Sequence, residues 1–172
     1  MATTYTLISS NVLSSSAASV TFSSIPSTYT DLVLKVSARG DAAGGSNEIN
    51  LLINGSTAST YSNTNLFGDG SGTAGSNRES NSARIQMFVT DGSTATANTF
   101  SSHEVYVPNY AGSANKVVSS FNAQENATGA STYISATASL RSNTDAVTSL
   151  TVVPQSNFVS GSSFYLYGIK NS

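Results

Sequence analysis

Asp31-Leu32-Val33-Leu34-Lys35-Val36-Ser37-Ala38 decides how this chain is read. Leu32, Leu34, Val36 and Ala38 fall on one side of a two-residue period; Val33, Lys35 and Ser37 fall on the other. Successive side chains of a strand point to opposite faces, so this is a strand with one face for a core. The same period recurs outward in both directions. Val20-Thr21-Phe22 precedes it. Ile49, Leu51 and Ile53 follow, up to Asn54-Gly55, and Ile85, Met87 and Val89 lead to Asp91-Gly92. Both dipeptides read as favoured two-residue hairpin turns, because their residues accept positive φ. Val105 and Val107 run into Pro108, which ends pairing. Lys116–Gln124, Thr132–Leu140, Ala146–Val153 and Ser163–Ile169 complete the set. No segment joins an N-cap to a sustained helical stripe. The expectation is an all-β chain: a single domain over residues 1–172, built as an antiparallel, jelly-roll-like β-sandwich of about nine or ten strands.

Composition narrows the function. Of 172 residues, 7 are Lys or Arg, 9 are Asp or Glu and 1 is His, with no Cys and no Trp. Serine and threonine together make about 31% of the chain. Enzymes need polarised groups to move protons or attack carbonyls, and few are present. A net charge of −2 offers no footprint for nucleic acid or an anionic membrane. Without cysteine there are no disulfides, thiolate metal sites or thiol nucleophiles. No basic region followed by an apolar run marks a secretory leader in residues 1–11, and no apolar run is long enough to span a bilayer.

Each motif that suggests chemistry lacks its context. Gly70-Ser71-Gly72-Thr73-Ala74-Gly75 matches a dinucleotide fingerprint, but no helix follows to meet a pyrophosphate. His103 and Glu104 are neighbours in a strand and so face apart. His103 reads as a surface or interface residue, and no G-x-S-x-G elbow accompanies it. The acidic residues are scattered and form no calcium loop. Arg39-Gly40-Asp41 reads as a turn after a strand. Asn54-Gly55-Ser56 and Asn126-Ala127-Thr128 fit the glycosylation sequon, which carries no weight without a leader. No catalytic, cofactor-binding or metal site is expected.

Two segments stand apart. Residues 56–82 show little periodicity and read as a long loop whose Tyr61, Leu66 and Phe67 are pinned to the core or to a neighbour. Residues 1–16 read as an extended arm, with Tyr5, Leu7 and Ile8 available to pair with another subunit. Tyr106 and Tyr110, flanking Pro108-Asn109, complete the candidate interface set, since tyrosine is enriched at interfaces. The alternative for the tyrosines is ordinary packing with hydroxyls at the rim.

Phe22-Ser23-Ser24-Ile25-Pro26-Ser27-Thr28-Tyr29-Thr30-Asp31-Leu32-Val33-Leu34, followed by Ser37-Ala38-Arg39, resembles a pattern in virion structural proteins of tailed bacteriophages, especially aquatic ones. Ile53-Asn54-Gly55 with Tyr61-Ser62, Val105-Tyr106-Val107-Pro108-Asn109-Tyr110-Ala111-Gly112 and Leu166-Tyr167-Gly168-Ile169 fit the same resemblance. It implies a sandwich that acts by assembly. The component it suits best is a capsid decoration (cement) protein on the capsid exterior. Such a protein is made in the host cytoplasm, forms homo-oligomers (trimers among them), and bridges major capsid protein subunits. A minor tail or tail-fibre module recognising host glycan is the alternative.

Overall fold

The computed structural model describes residues 4–72, 74–126 and 132–170. Those residues form twelve strands: β1 (Tyr5–Val12), β2 (Val20–Phe22), β3 (Asp31–Ala38), β4 (Ser46–Ile53), β5 (Tyr61–Gly68), β6 (Ala74–Ser82), β7 (Ile85–Asp91), β8 (Ser101–Val107), β9 (Lys116–Gln124), β10 (Tyr133–Arg141), β11 (Leu150–Pro154) and β12 (Ser163–Ile169). No helix occurs among them. The chain is therefore all-β, as its period of two required. Eight strands pair in the order β1-β12-β3-β8-β9-β10-β5-β6, and four in the order β2-β11-β4-β7. Every pairing is antiparallel.

One apolar cluster joins the two sheets. Leu32, Leu34 and Val36 of β3, Val105 and Val107 of β8, and Phe164 and Leu166 of β12 enter it from the eight-stranded sheet. Ile49, Leu51 and Ile53 of β4, Ile85 and Met87 of β7, and Leu150 and Val152 of β11 enter it from the four-stranded sheet. The ring of Phe158 meets that of Phe164 edge-on, with centroids 4.9 Å apart, a favoured aromatic geometry.

The strand count exceeds the nine or ten expected because polar strands were hidden. Residues 56–82 are not one structureless loop. They hold β5 and β6, a hairpin whose tip is tied where Asp69 Oδ1 accepts from the Ser71 amide (2.9 Å) and hydroxyl (2.6 Å). The expected arm over 1–16 is not free along Tyr5–Val12. β1 pairs with β12 of its own chain along Tyr5–Val12, with a bulge between Leu7 and Ser9. Covering β12 there satisfies an edge that the chain would otherwise expose.

The two dipeptide turns join sheets instead of closing hairpins. Asn54 and Gly55 have φ of 53° and 65°, the left-handed pair the dipeptide favours, but β4 and β5 lie in different sheets. Asn54 instead ties the turn to the segment before β11. Its Oδ1 accepts from the amides of Thr148 (2.8 Å) and Ser149 (3.1 Å), and its Nδ2 donates to the Ala146 carbonyl (2.8 Å). Asp91-Gly92 takes no left-handed φ; Asp91 ends β7, and the chain then crosses to β8 in the other sheet.

Candidate interaction surface

The eight-stranded sheet changes character along its width. At β3 and β12 apolar side chains point inward. At β9, β10 and β5 the alternation is kept but turned over. β9 buries Ser120, Asn122 and Gln124 and turns Val117 and Phe121 outward. β10 buries Ser135, Thr137 and Ser139 and turns out Ile134, Ala136 and Ala138. β5 buries Asn63 and Asn65 and turns out Leu66. The outward side chains of Leu66 (61% exposed), Val117 (56%), Ile134 (55%) and Phe121 (50%) are the large apolar groups facing solvent here.

Cross-strand register fixes how they sit together, because residues directly opposite share a face. Leu66, Ala136 and Phe121 form one row across β5, β10 and β9. Gly68, Ile134 and Ala123 form the next. Thr64, Ala138 and Ser119 lie on the other side of the first row. Bulky and small groups thus alternate. Between them a shallow depression of about 320 Å³ is lined by Leu66, Phe67, Gly68, Ala74, Phe121, Ile134, Ser135 and Ala136. Three strands about 4.8 Å apart and about seven residues long give a flat area of roughly 350 Å². A largely apolar face of that order is of the size that often serves binding.

Much of the polar side beneath is held by its own hydrogen bonds, while Asn122 Oδ1, Gln124 Oε1, Ser135 Oγ and Arg141 Nε and Nη1 are buried without a partner. Asn65 Nδ2 donates to Asn77 Oδ1 (2.6 Å) and to Gln86 Oε1 (2.7 Å), while the Thr137 hydroxyl donates to Asn65 Oδ1 (2.6 Å). Asn63 Oδ1 accepts from the Ser139 hydroxyl (2.8 Å) and the Gln86 amide (3.2 Å). Asn122 Nδ2 donates to the Val89 carbonyl (2.7 Å) and lies 3.2 Å from Nδ1 of His103. Lys116, on the same inward face, donates to the carbonyls of Gly112 (2.6 Å), Ala114 and Thr144 (3.4 Å). Burial, and secondarily the nearby Arg141, hold its pKa below the usual lysine value. Burial raises the pKa of Asp91, which takes a hydrogen bond from Gln124 Nε2 at 3.2 Å.

His103 is a core residue, not the surface or interface residue its polar neighbours suggested. It is 2% exposed, and burial lowers its pKa to about 4. Its partner in sequence, Glu104, faces outward and pairs with Lys35. Among the described residues no group of three His, Cys, Asp or Glu side chains could hold a metal ion.

The expected interface residues divide. Leu66 stands on the apolar face. Tyr5 and Leu7 are half exposed on β1 at the far edge of the same sheet, where Tyr5 meets Tyr167 edge-on at 6.3 Å. Ile8 leans on the core from β1. Tyr61 and Tyr110 are wrongly placed in the set, because both are fully buried. Tyr61 donates to the Ser56 carbonyl (3.2 Å) and accepts from the Ile53 amide (3.2 Å). Tyr110 donates to the Pro26 carbonyl. Tyr106 is partly covered and donates to Asp31 Oδ2 at 2.9 Å. Phe67 belongs to an inward aromatic trio, its ring 5.2 Å from Phe88 and 6.3 Å from Tyr133. Phe88 reaches that trio from a bulge in β7, at a φ of 77° that is strained for a bulky residue. Val117, Phe121 and Ile134 lie outside the expected set: the sequence shows their strands but not which face of each meets the core.

Arg39-Gly40-Asp41 is consumed by structure. The Arg39 guanidinium donates to the carbonyls of Thr96 (2.7 Å), Ala95 (2.9 Å) and Thr99 (3.2 Å). The Asp41 carboxylate accepts from Asn157, which holds its pKa below the usual carboxylate value. Of the two sequons, Asn54 is committed to its turn, and residues 127 and 128 lie outside the described residues, as does Thr73 of the glycine run. No family model matches the chain, and no curated protein matches it.

Proposed function

We propose that this chain is a structural component of a tailed-phage virion, most specifically a capsid decoration protein that bridges major capsid protein subunits from the capsid exterior. The observation that supports it is the apolar outward face of β5, β10 and β9. A sheet that turns Leu66, Phe121 and Ile134 to water while hydrogen-bonding amides beneath them is suited to being covered by protein. Contacts of this kind are apolar and uncharged, so they hold with little sensitivity to salt. The finer architecture we infer is a jelly-roll-like sandwich, in keeping with connections that mostly cross from one sheet to the other. The protein acts by assembly, without a cofactor and without catalysis.

Copy number tests the reading. Quantitative mass spectrometry of purified particles should place this chain among the abundant components, and particles lacking it should break open at lower temperature. A few copies per particle, or none, would overturn it.

A second reading, glycan recognition by a tail module, is favoured by a different observation. Two clefts of about 400 and 160 Å³ share Glu48 and Asn50, and Arg84, Gln155, Asn77, Gln86 and Phe88 lie along them. Amides, a carboxylate and an aromatic ring are groups that engage sugar hydroxyls and ring faces. Binding of host-surface polysaccharide that is lost in Asn50→Ala would favour that reading.

A further inference from the structure

We propose that the outward face of β9, β10 and β5 is the contact between two copies of this chain, stacked face to face about a two-fold axis that runs along β10. The proposal uses the same face as the virion reading but assigns it to a second copy of this chain, and it holds whether or not the pair sits on a particle.

Charge selects both the occupant and the axis. In a two-fold contact each patch meets itself, so a charge near the axis faces its own copy. The outward positions of β5, β10 and β9 hold no charged residue. The charges stand on the flanks and differ in sign. Arg78 lies on β6, outward opposite Thr64. Glu104 lies on β8, outward opposite Phe121 and half exposed beside Lys35. A half-turn about β10 carries β9 over β5 of the other copy and β8 over β6. Each Arg78 then faces the strand that bears the other copy's Glu104, twice over. A half-turn about an axis across the strands would set β6 on β6 and β8 on β8, so each strand would face its own copy and the like charge it carries.

Shape agrees with the same rotation. Phe121 projects from β9, and the depression of about 320 Å³ lies beside Leu66 and Ala136, toward β5. Bringing β9 over β5 sets each copy's Phe121 over the row of the other's Leu66, so that the two apolar groups meet at the rim of that depression. Area agrees as well. The five strands from β8 to β6 span roughly 550 Å² in projection, and a ridged surface exposes more than its projection, toward the roughly 800 Å² per partner of a stable pair.

The chain has no cysteine, so a single introduced thiol reports on one place. Sedimentation equilibrium of the full chain should give a dimer. Phe121→Asp should weaken it by roughly 30-fold or more, as loss of a central anchor does, with an unchanged melting curve when both proteins are melted at concentrations low enough to be monomeric. Ala138→Cys, on the axis, should crosslink to its own copy through a short bismaleimide. Thr21→Cys, on the outer face of the four-stranded sheet, should not. A monomer at all concentrations, a trimer, or a dimer indifferent to Phe121→Asp would overturn the proposal. So would a monomer whose Phe121→Asp variant loses particle binding, because the face would then belong to another protein.

Discussion

β3 and β9 lie in the same sheet, separated only by β8, and alternate with the same period. β3 sends Leu32, Leu34 and Val36 inward and Lys35 and Ser37 outward. β9 sends Ser120, Asn122 and Gln124 inward and Val117 and Phe121 outward. Periodicity establishes that a strand has two unlike faces. It does not say which face meets the interior, because a shift of one residue exchanges them. On β3 the choice follows from the apolar cluster shared with β4 and β11. On β9 it follows from partners able to satisfy amides: Val89 for Asn122, and Asp91 and the Gly45 carbonyl (2.9 Å) for Gln124.

The sharpest way to break this contrast uses one residue type in both settings. Phe164→Ala removes a fully buried ring packed on Phe158 and should cost about 3–5 kcal/mol in chemical denaturation. Phe121→Ala, in the same sheet but facing out, should change the stability of the monomer by no more than about 0.5 kcal/mol. Equal losses would mean that the outward face is part of the fold.

His103 stands at the boundary, paired with Val36 on one side and Asn122 on the other. Burial lowers its folded pKa to about 4, from 6.5. Between those values the unfolded chain takes up the proton and the folded one does not. The stability is therefore whole above about pH 6.5 and is lost as pH falls toward 4, by about 3 kcal/mol in all. Asp91 works in the opposite direction, since its raised pKa makes acidification through the carboxylate range favourable to the fold. Melting temperature measured from pH 7 to 4 should fall, and His103→Gln should flatten that slope. An unchanged slope in the variant would place the titration elsewhere.

The apolar half was legible because its two signals coincide. In Val20–Phe22, Asp31–Ala38 and Ser163–Ile169 the period of two and the side that enters the core are given by the same residues. Lys116–Gln124 was legible as a strand to its last residue, but not as a face. β5 and β6 were illegible. Ser62-Asn63-Thr64-Asn65 carries no apolar period, and asparagine is a poor strand former in isolation. What makes those residues a strand is a set of partners distant in sequence, Ser139 and Thr137 on β10 and Gln86 on β7. β1 was hidden for a related reason: its strand is fixed by β12, more than 150 residues away. Tyr61 and Tyr110 misled because a tyrosine whose hydroxyl finds a buried carbonyl looks, in sequence, like one at a rim.

The polar half has its own test. Asn65→Ala strands Asn77, Gln86 and Thr137 and should cost about 1–3 kcal/mol. Adding Thr137→Val should cost less than the sum of the single changes, because the second change removes a group the first left unpaired. Strict additivity in that cycle would mean the amides are spectators.

The outward pair of Lys35 and Glu104 lies between the two regimes and should matter least to folding. Both groups are about half exposed, so water and salt screen them. Glu104→Gln should change stability by less than about 1 kcal/mol, and added salt should erase the difference. Its place in the sheet gives the pair a different significance. It is a charged band between the apolar rows of β9, β10 and β5 and the tyrosines of β1 and β12. A sheet uniformly apolar on its outer side would have no edge to its contact. Glu104→Leu should therefore leave the monomer as stable as before and, by removing the carboxylate on the strand that faces the other copy's Arg78, blur the choice of axis, read as mixed or larger species in sedimentation. Unaltered association would mean that the boundary of the contact is drawn by shape alone.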